Sequence, residues 1–118
     1  MSIESRVFSV AESIQPSEGE PIRSVVLETA ESVIVVWHVR PGQEIAAHIH
    51  PHGQDTWTVL SGAADYFQGN GLVCSLKAGE IAVAKSAQVH GAKNVGVEPF
   101  VFVSVVAPGN AGYAVSEK

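Results

Sequence analysis

The sequence predicts an all-β sandwich or barrel, and three observations carry that prediction. VIVVWHV (33–39) and FVFVSVV (100–106) are rich in β-branched and aromatic residues on both alternating faces, and both are too short to favour a helix. Shorter apolar segments recur between them at even spacing. Nearly every joint carries a glycine, and many short strands with regular glycine turns build a barrel or a double-layered sheet.

Taken in order, the polar ESIQPSEGEP (12–21) reads as a loop or loosely held arm, and residues 1–30 as an N-terminal arm with edge strands ahead of a barrel over 31–110. Strands are expected at about 22–28, 33–39, 45–50, 55–61, 63–68, 71–77, 80–84, 88–94 and 100–106. Pro41-Gly42, Ser61-Gly62, Gly69-Asn70-Gly71, Lys77-Ala78-Gly79 and Pro108-Gly109 supply glycine where a positive φ or a tight reversal is needed. The strands at 33–39 and 100–106, apolar on both faces, are expected to be covered on both sides. No helix longer than a turn or two is expected. With 118 residues, 46% of them hydrophobic, the chain supports one core and one domain.

Composition narrows the function. The net charge is −5 and the 7 basic residues are scattered, so the basic stripe that a phosphate backbone requires is missing and no nucleic-acid partner is expected. The start, MSIESRVFSVAESIQ, has Glu4 where a signal peptide wants positive charge, and no apolar run approaches the roughly 18 residues of a membrane span. A soluble, cytoplasmic protein without a membrane partner is therefore expected. Cys74 is the single cysteine, which precludes an intrachain disulfide and suits a reducing compartment; a small buried core thiol is the default reading.

The chemistry concentrates in GQEIAAHIHPHGQDTWTVLSG (42–62), which holds three of the five histidines. Residues two apart on a strand share a face, so His48 and His50 aim their imidazoles together. Pro51 cannot donate a ladder hydrogen bond, so the strand ends there and His52 falls in a loop. A metal needs further ligands, and a barrel brings His90 opposite. His38 belongs to an apolar strand and reads as a packed or interface histidine. Asp55 has three roles open to it: metal ligand, hydrogen-bond partner of a ligand histidine, or turn cap. Gln54 is the competing amide ligand, and His52 is solvent-facing or supports a ligand from outside. Trp57 and Val59 share Asp55's face by the period of two and either wall a pocket or fill the core.

These residues match a family pattern. Gly42, five residues, His48, Ile49, His50, four residues, Asp55, six residues and Gly62 resemble the first motif of the cupins, with Asp in place of Glu. Gly79, Lys85, Ala87, His90 and Asn94 keep every spacing of the second motif, with Lys85 and Ala87 in place of its Pro and Gly. The resemblance covers about 33–107. It implies a double-stranded β-helix, or jelly-roll barrel, of two antiparallel sheets holding one divalent metal ion. The ligands carried over are His48, His50, Asp55 and His90. Imidazoles with one carboxylate suit Fe, Mn, Ni or Zn.

Two function classes follow. One is a metal-dependent enzyme acting on a small oxygen-bearing organic molecule by dioxygenase, isomerase, lyase or decarboxylase chemistry, the classes the resemblance implies; no residue stands out as its general base. The other is a non-catalytic barrel that binds or senses a small ligand. Four ligands around an open site exceed what stability requires, which favours the enzyme. Exposed sheet edges in a small barrel need covering, so a homodimer is expected.

Overall fold

A computed structural model describes residues 4–118; the first three residues of the arm expected over 1–30 lie outside the described residues. A four-residue helix, α1 (Val10–Ser13), capped by the Ser9 hydroxyl, precedes ten strands. These are β1 (Ser24–Glu28), β2 (Val33–Val39), β3 (Glu44–Ile49), β4 (Gln54–Ser61), β5 (Ala63–Gly69), β6 (Leu72–Lys77), β7 (Ile81–Ala84), β8 (His90–Lys93), β9 (Phe100–Ala107) and β10 (Ala114–Val115). They form two antiparallel five-stranded sheets, ordered β1-β2-β9-β4-β7 and β10-β3-β8-β5-β6. Every strand expected from the sequence is present. The short β10 has no pattern of its own and forms because the C-terminal segment pairs with β3.

The inner faces carry two different surfaces along their length. At one end Val39, Trp57, Val59, Phe100 and Phe102 from one sheet meet Ile45, Ala64, Tyr66, Leu76 and Ala92 from the other in a dry core, with Trp57 stacked on Phe102 at a centroid distance of 4.0 Å. Farther along the same strands the inner positions become Val35 on β2, Asp55 on β4, and Ser104 and Val106 on β9, and the space between the sheets opens into a cavity. The packed end holds the open end in shape, because close-packed interiors resist deformation.

Turn chemistry follows the residues. Asn70 and Gly71 both have positive φ (55° and 74°), as the two-residue turn of a twisted hairpin demands, and link β5 to β6. Buried Asn94 ties distant segments together: its Nδ2 donates to Val39 O (2.9 Å) and Glu98 O (2.8 Å), and its Oδ1 accepts from Gly96 N (2.9 Å). The polar arm is pinned as well, since Gln43 Nε2 donates to Ser17 O at 2.7 Å and Ser24 Oγ donates to Gln15 Oε1 at 2.6 Å.

Two expectations are corrected. Cys74 is exposed although it shares Leu76's face and pairs with Tyr66, because β6 is a sheet edge on which only Leu76 is buried; its thiol meets the Gln68 amide at 2.8 Å. The outer faces of β2 and β9 are only partly covered: Val36 and Val101 are buried, but Ile34, Val103 and Val105 are half-buried. Continuous apolar character showed two apolar faces and not what lies over the second.

Ala87, which replaces the motif glycine, has φ of 64°, a left-handed conformation that costs a residue with a Cβ about 1 kcal/mol or more. Its N–H donates to His50 O at 2.9 Å, tying that turn to the histidine loop. Ala87→Gly is expected to raise stability by roughly 0.5–1 kcal/mol, read as a higher urea midpoint at unchanged slope.

Candidate metal centre

His48 lies on β3, His50 directly after it, Asp55 on β4 of the opposite sheet, and His90 opens β8 opposite His48. Between Ile45 and His48 the register against β8 slips by one residue, a β-bulge that turns both side chains toward the cavity. The imidazoles of His48, His50 and His90 stand with centroids 4.1 to 5.1 Å apart, and the ligand atoms of the three histidines and Asp55 all lie within 4.8 Å of one another. Ligands about 2.1 Å from one ion sit up to about 4.2 Å apart, so a small closure brings these four onto a common centre.

The hydrogen bonds define which nitrogens are available. His48 Nδ1 bonds Ala46 O (2.8 Å), His50 Nδ1 bonds Gly112 O (2.7 Å) and His90 Nδ1 bonds Gln88 O (3.0 Å). A carbonyl only accepts, so each Nδ1 carries a proton, and whenever a ring is neutral its lone pair is on Nε2. Yet Nε2 of His50 and His90 face Asp55 Oδ2 at 3.4 and 3.0 Å, and a carboxylate also only accepts. Such contacts need a cation between the partners, either a shared proton or a metal ion. The donor set therefore fits a divalent metal on its own chemistry.

Asp55, 3% exposed, is the hub. Ser104 Oγ donates to its Oδ1 at 2.5 Å while Oδ2 takes the two histidines. Burial opposes its charge, but the hydrogen bonds from His50, His90 and Ser104 outweigh burial and hold the carboxyl well below the usual range. His50 is raised by its hydrogen bond to Asp55, against the cost of burial. His48 is lowered to about 4, chiefly by burial and then by neighbouring His90.

The cluster lies at a cavity of about 610 Å³. Trp57 lines it, while Val59 lies in the core. Gln54 points to the opposite face of β4, exposed, with its amide 3.5 Å from Thr56 Oγ1, and His52 is exposed in the turn after Pro51; neither joins the cluster. His38 lies on β2, on the face turned away from the cavity, half-buried. Sequence reasoning missed Ser104, although it is the one polar residue in FVFVSVV and so carried a signal. It also missed Tyr113, whose ring stands 5.2 Å from that of His48, and the Gly112 carbonyl; their segment has no pattern of its own and is placed by pairing with β3.

The chain belongs to the cupin family: the model of the cupin domain matches residues 35–106. It is similar to a solved protein with a double-stranded β-helix domain from Klebsiella pneumoniae, with 73% identity over 98% of this chain and 100% of that one and a TM-score of 0.95. An RmlC-like cupin from Desulfovibrio desulfuricans shares 22% identity over 89% and 98% of the two chains at a TM-score of 0.79. A predicted oxalate decarboxylase from Thermotoga maritima shares 19% identity over 80% and 97% at 0.68. The last two likenesses show the fold alone. No curated protein matches the chain in sequence. Among the described residues no helix is long and apolar enough to cross a membrane.

In metal-free protein at pH 5.5, His48, with its pKa lowered to about 4, is expected to remain a neutral Nδ1–H imidazole, whereas His50, raised above its ordinary 6.5, is expected to carry a proton. Nitrogen chemical shifts of the two rings measure both states directly.

Proposed function

We propose that this cupin is a cytoplasmic, metal-dependent enzyme acting on a small oxygen-bearing organic molecule, with His48, His50, His90 and Asp55 holding one divalent ion. The observation that carries the reading is the inward set of imidazole nitrogens around one buried carboxylate, at a cavity large enough for a substrate. A divalent ion bound there supplies Lewis acidity toward a substrate oxygen, or a redox centre if the ion is iron or manganese.

The remaining work falls to the chain. The carbonyls of Ala46, Gly112 and Gln88 hold the three rings in the tautomer that keeps Nε2 free. Ser104 fixes Asp55, so that one oxygen stays turned to the histidines. The apolar walls lower the local dielectric and so strengthen polar contacts within. Tyr113, exposed beside His48 and His50, places a phenol where it meets an arriving substrate. The same reading takes the protein as a homodimer, supported by the apolar Leu60, Ile81 and Val83 left exposed on the outer side of one sheet.

His48→Ala, His50→Ala and His90→Ala are each expected to lose stoichiometric metal by elemental analysis while staying folded. His52→Ala and His38→Ala should keep it, and Asp55→Ala should bind at least tenfold more weakly. Full occupancy in folded His90→Ala would overturn the site. Metal-dependent turnover in a screen of small oxygenated metabolites tests the enzyme; stoichiometric metal and ligand binding without turnover would identify a binding barrel instead. Light scattering is expected to give about twice the 12.4 kDa chain mass.

A further inference from the structure

We infer that the cavity takes an organic anion with an apolar body, its anionic group held by Arg23. This rests on the proposed metal reading for the total charge of the site, but the recognition itself is made by other side chains. Arg23, Glu20 and Glu44 are the charged residues around the cavity apart from the metal cluster. Glu44 is paired with Lys118 Nζ at 2.9 Å, whereas Arg23 has no carboxylate partner within 4.0 Å among the described residues. Arg23 lines the same cavity as His48 and His50. With a divalent ion beside Asp55 and Glu44 neutralised by Lys118, the charges facing the cavity remain net positive even with Glu20 counted. Guanidinium is the side chain best matched to a carboxylate, through paired N–H donors.

The rest of the lining specifies the body of the ligand. Val33, Val35, Trp37, Ile45 and Val106 make an apolar wall. Trp57, 1% exposed, backs the same cavity from the core side with its ring stacked on Phe102. A cavity of about 610 Å³ with such walls exceeds what a two-carbon acid fills. A monocarboxylate with an aryl or branched alkyl body meets all three features.

The test uses metal-loaded protein, 3-phenylpropionate as probe, and calorimetry with tryptophan fluorescence as readouts. Propionate removes the apolar body and 3-phenylpropionamide removes the charge; each is expected to bind at least tenfold more weakly than the probe. Arg23→Gln, at an exposed position and checked for fold by circular dichroism, should weaken 3-phenylpropionate at least tenfold while leaving metal content and amide binding unchanged. Arg23→Lys should restore part of the loss. Undetectable probe binding at millimolar concentration, equal binding of propionate or of the amide, or unchanged affinity in Arg23→Gln would each overturn the inference. Metal content measured on the same samples separates the two readings: Arg23-dependent binding without stoichiometric metal overturns the metal site alone, and full metal with Arg23-independent binding overturns this inference alone.

Discussion

The buried carboxylate of Asp55 is the constraint on which the rest of the site depends. An unpaired charge between two apolar sheets is very costly, so a hydroxyl and two imidazoles are arranged around it. Ser104 takes one oxygen, and His50 and His90 converge on the other. These partners come from both sheets, so the carboxylate binds the layers together at the end where the apolar core gives way to the cavity. In their neutral form the two histidines would present lone pairs to it, so the arrangement is at rest only with a proton or a metal ion between them.

Holding such a cluster takes backbone pieces that do not touch the cavity contents. The bulge in β3 brings Ile45 and His48 to the same side. Asn94 ties the turn after β8 to the end of β2, and the Ala87 N–H ties the turn before β8 to His50 O. The C-terminal segment contributes the Gly112 carbonyl that orients His50, and it approaches closely because Gly53 has no side chain to collide with Ala111. Positioning is thus distributed over both motifs and the last ten or so residues, while the candidate ligand atoms belong to four side chains.

Much of this was legible in the linear order of residues. Strand positions follow from apolar segments punctuated by glycine, because side-chain alternation and positive-φ turns are local properties of the chain. His48 and His50 are paired by their separation alone, and Pro51 removes His52 from the strand by lacking an N–H. His90 was legible through the second motif's spacing, and Asp55 through the first. Among the supporting residues, Ser104 was signalled as a polar interruption in an apolar strand, whereas Cys74's exposure depended on β6 being an edge, which no local pattern encodes.

What the residue order specified, then, was the elements, the turn points and the donor types, all properties of neighbours within a few residues. Tertiary structure decided which donors meet. Gln54 and Asp55 are adjacent in sequence and occupy opposite faces of β4; pairing of that strand with β9 and β7 turned the carboxylate inward beside Ser104 and the amide outward. Arg23, Gly112 and Tyr113 reach the cavity because β1 pairs with β2 and β10 with β3, contacts between segments with no shared local pattern. Long-range strand pairing depends on the packing of the whole core, so the cavity that gives these donors a common target exists only once both sheets have closed over it.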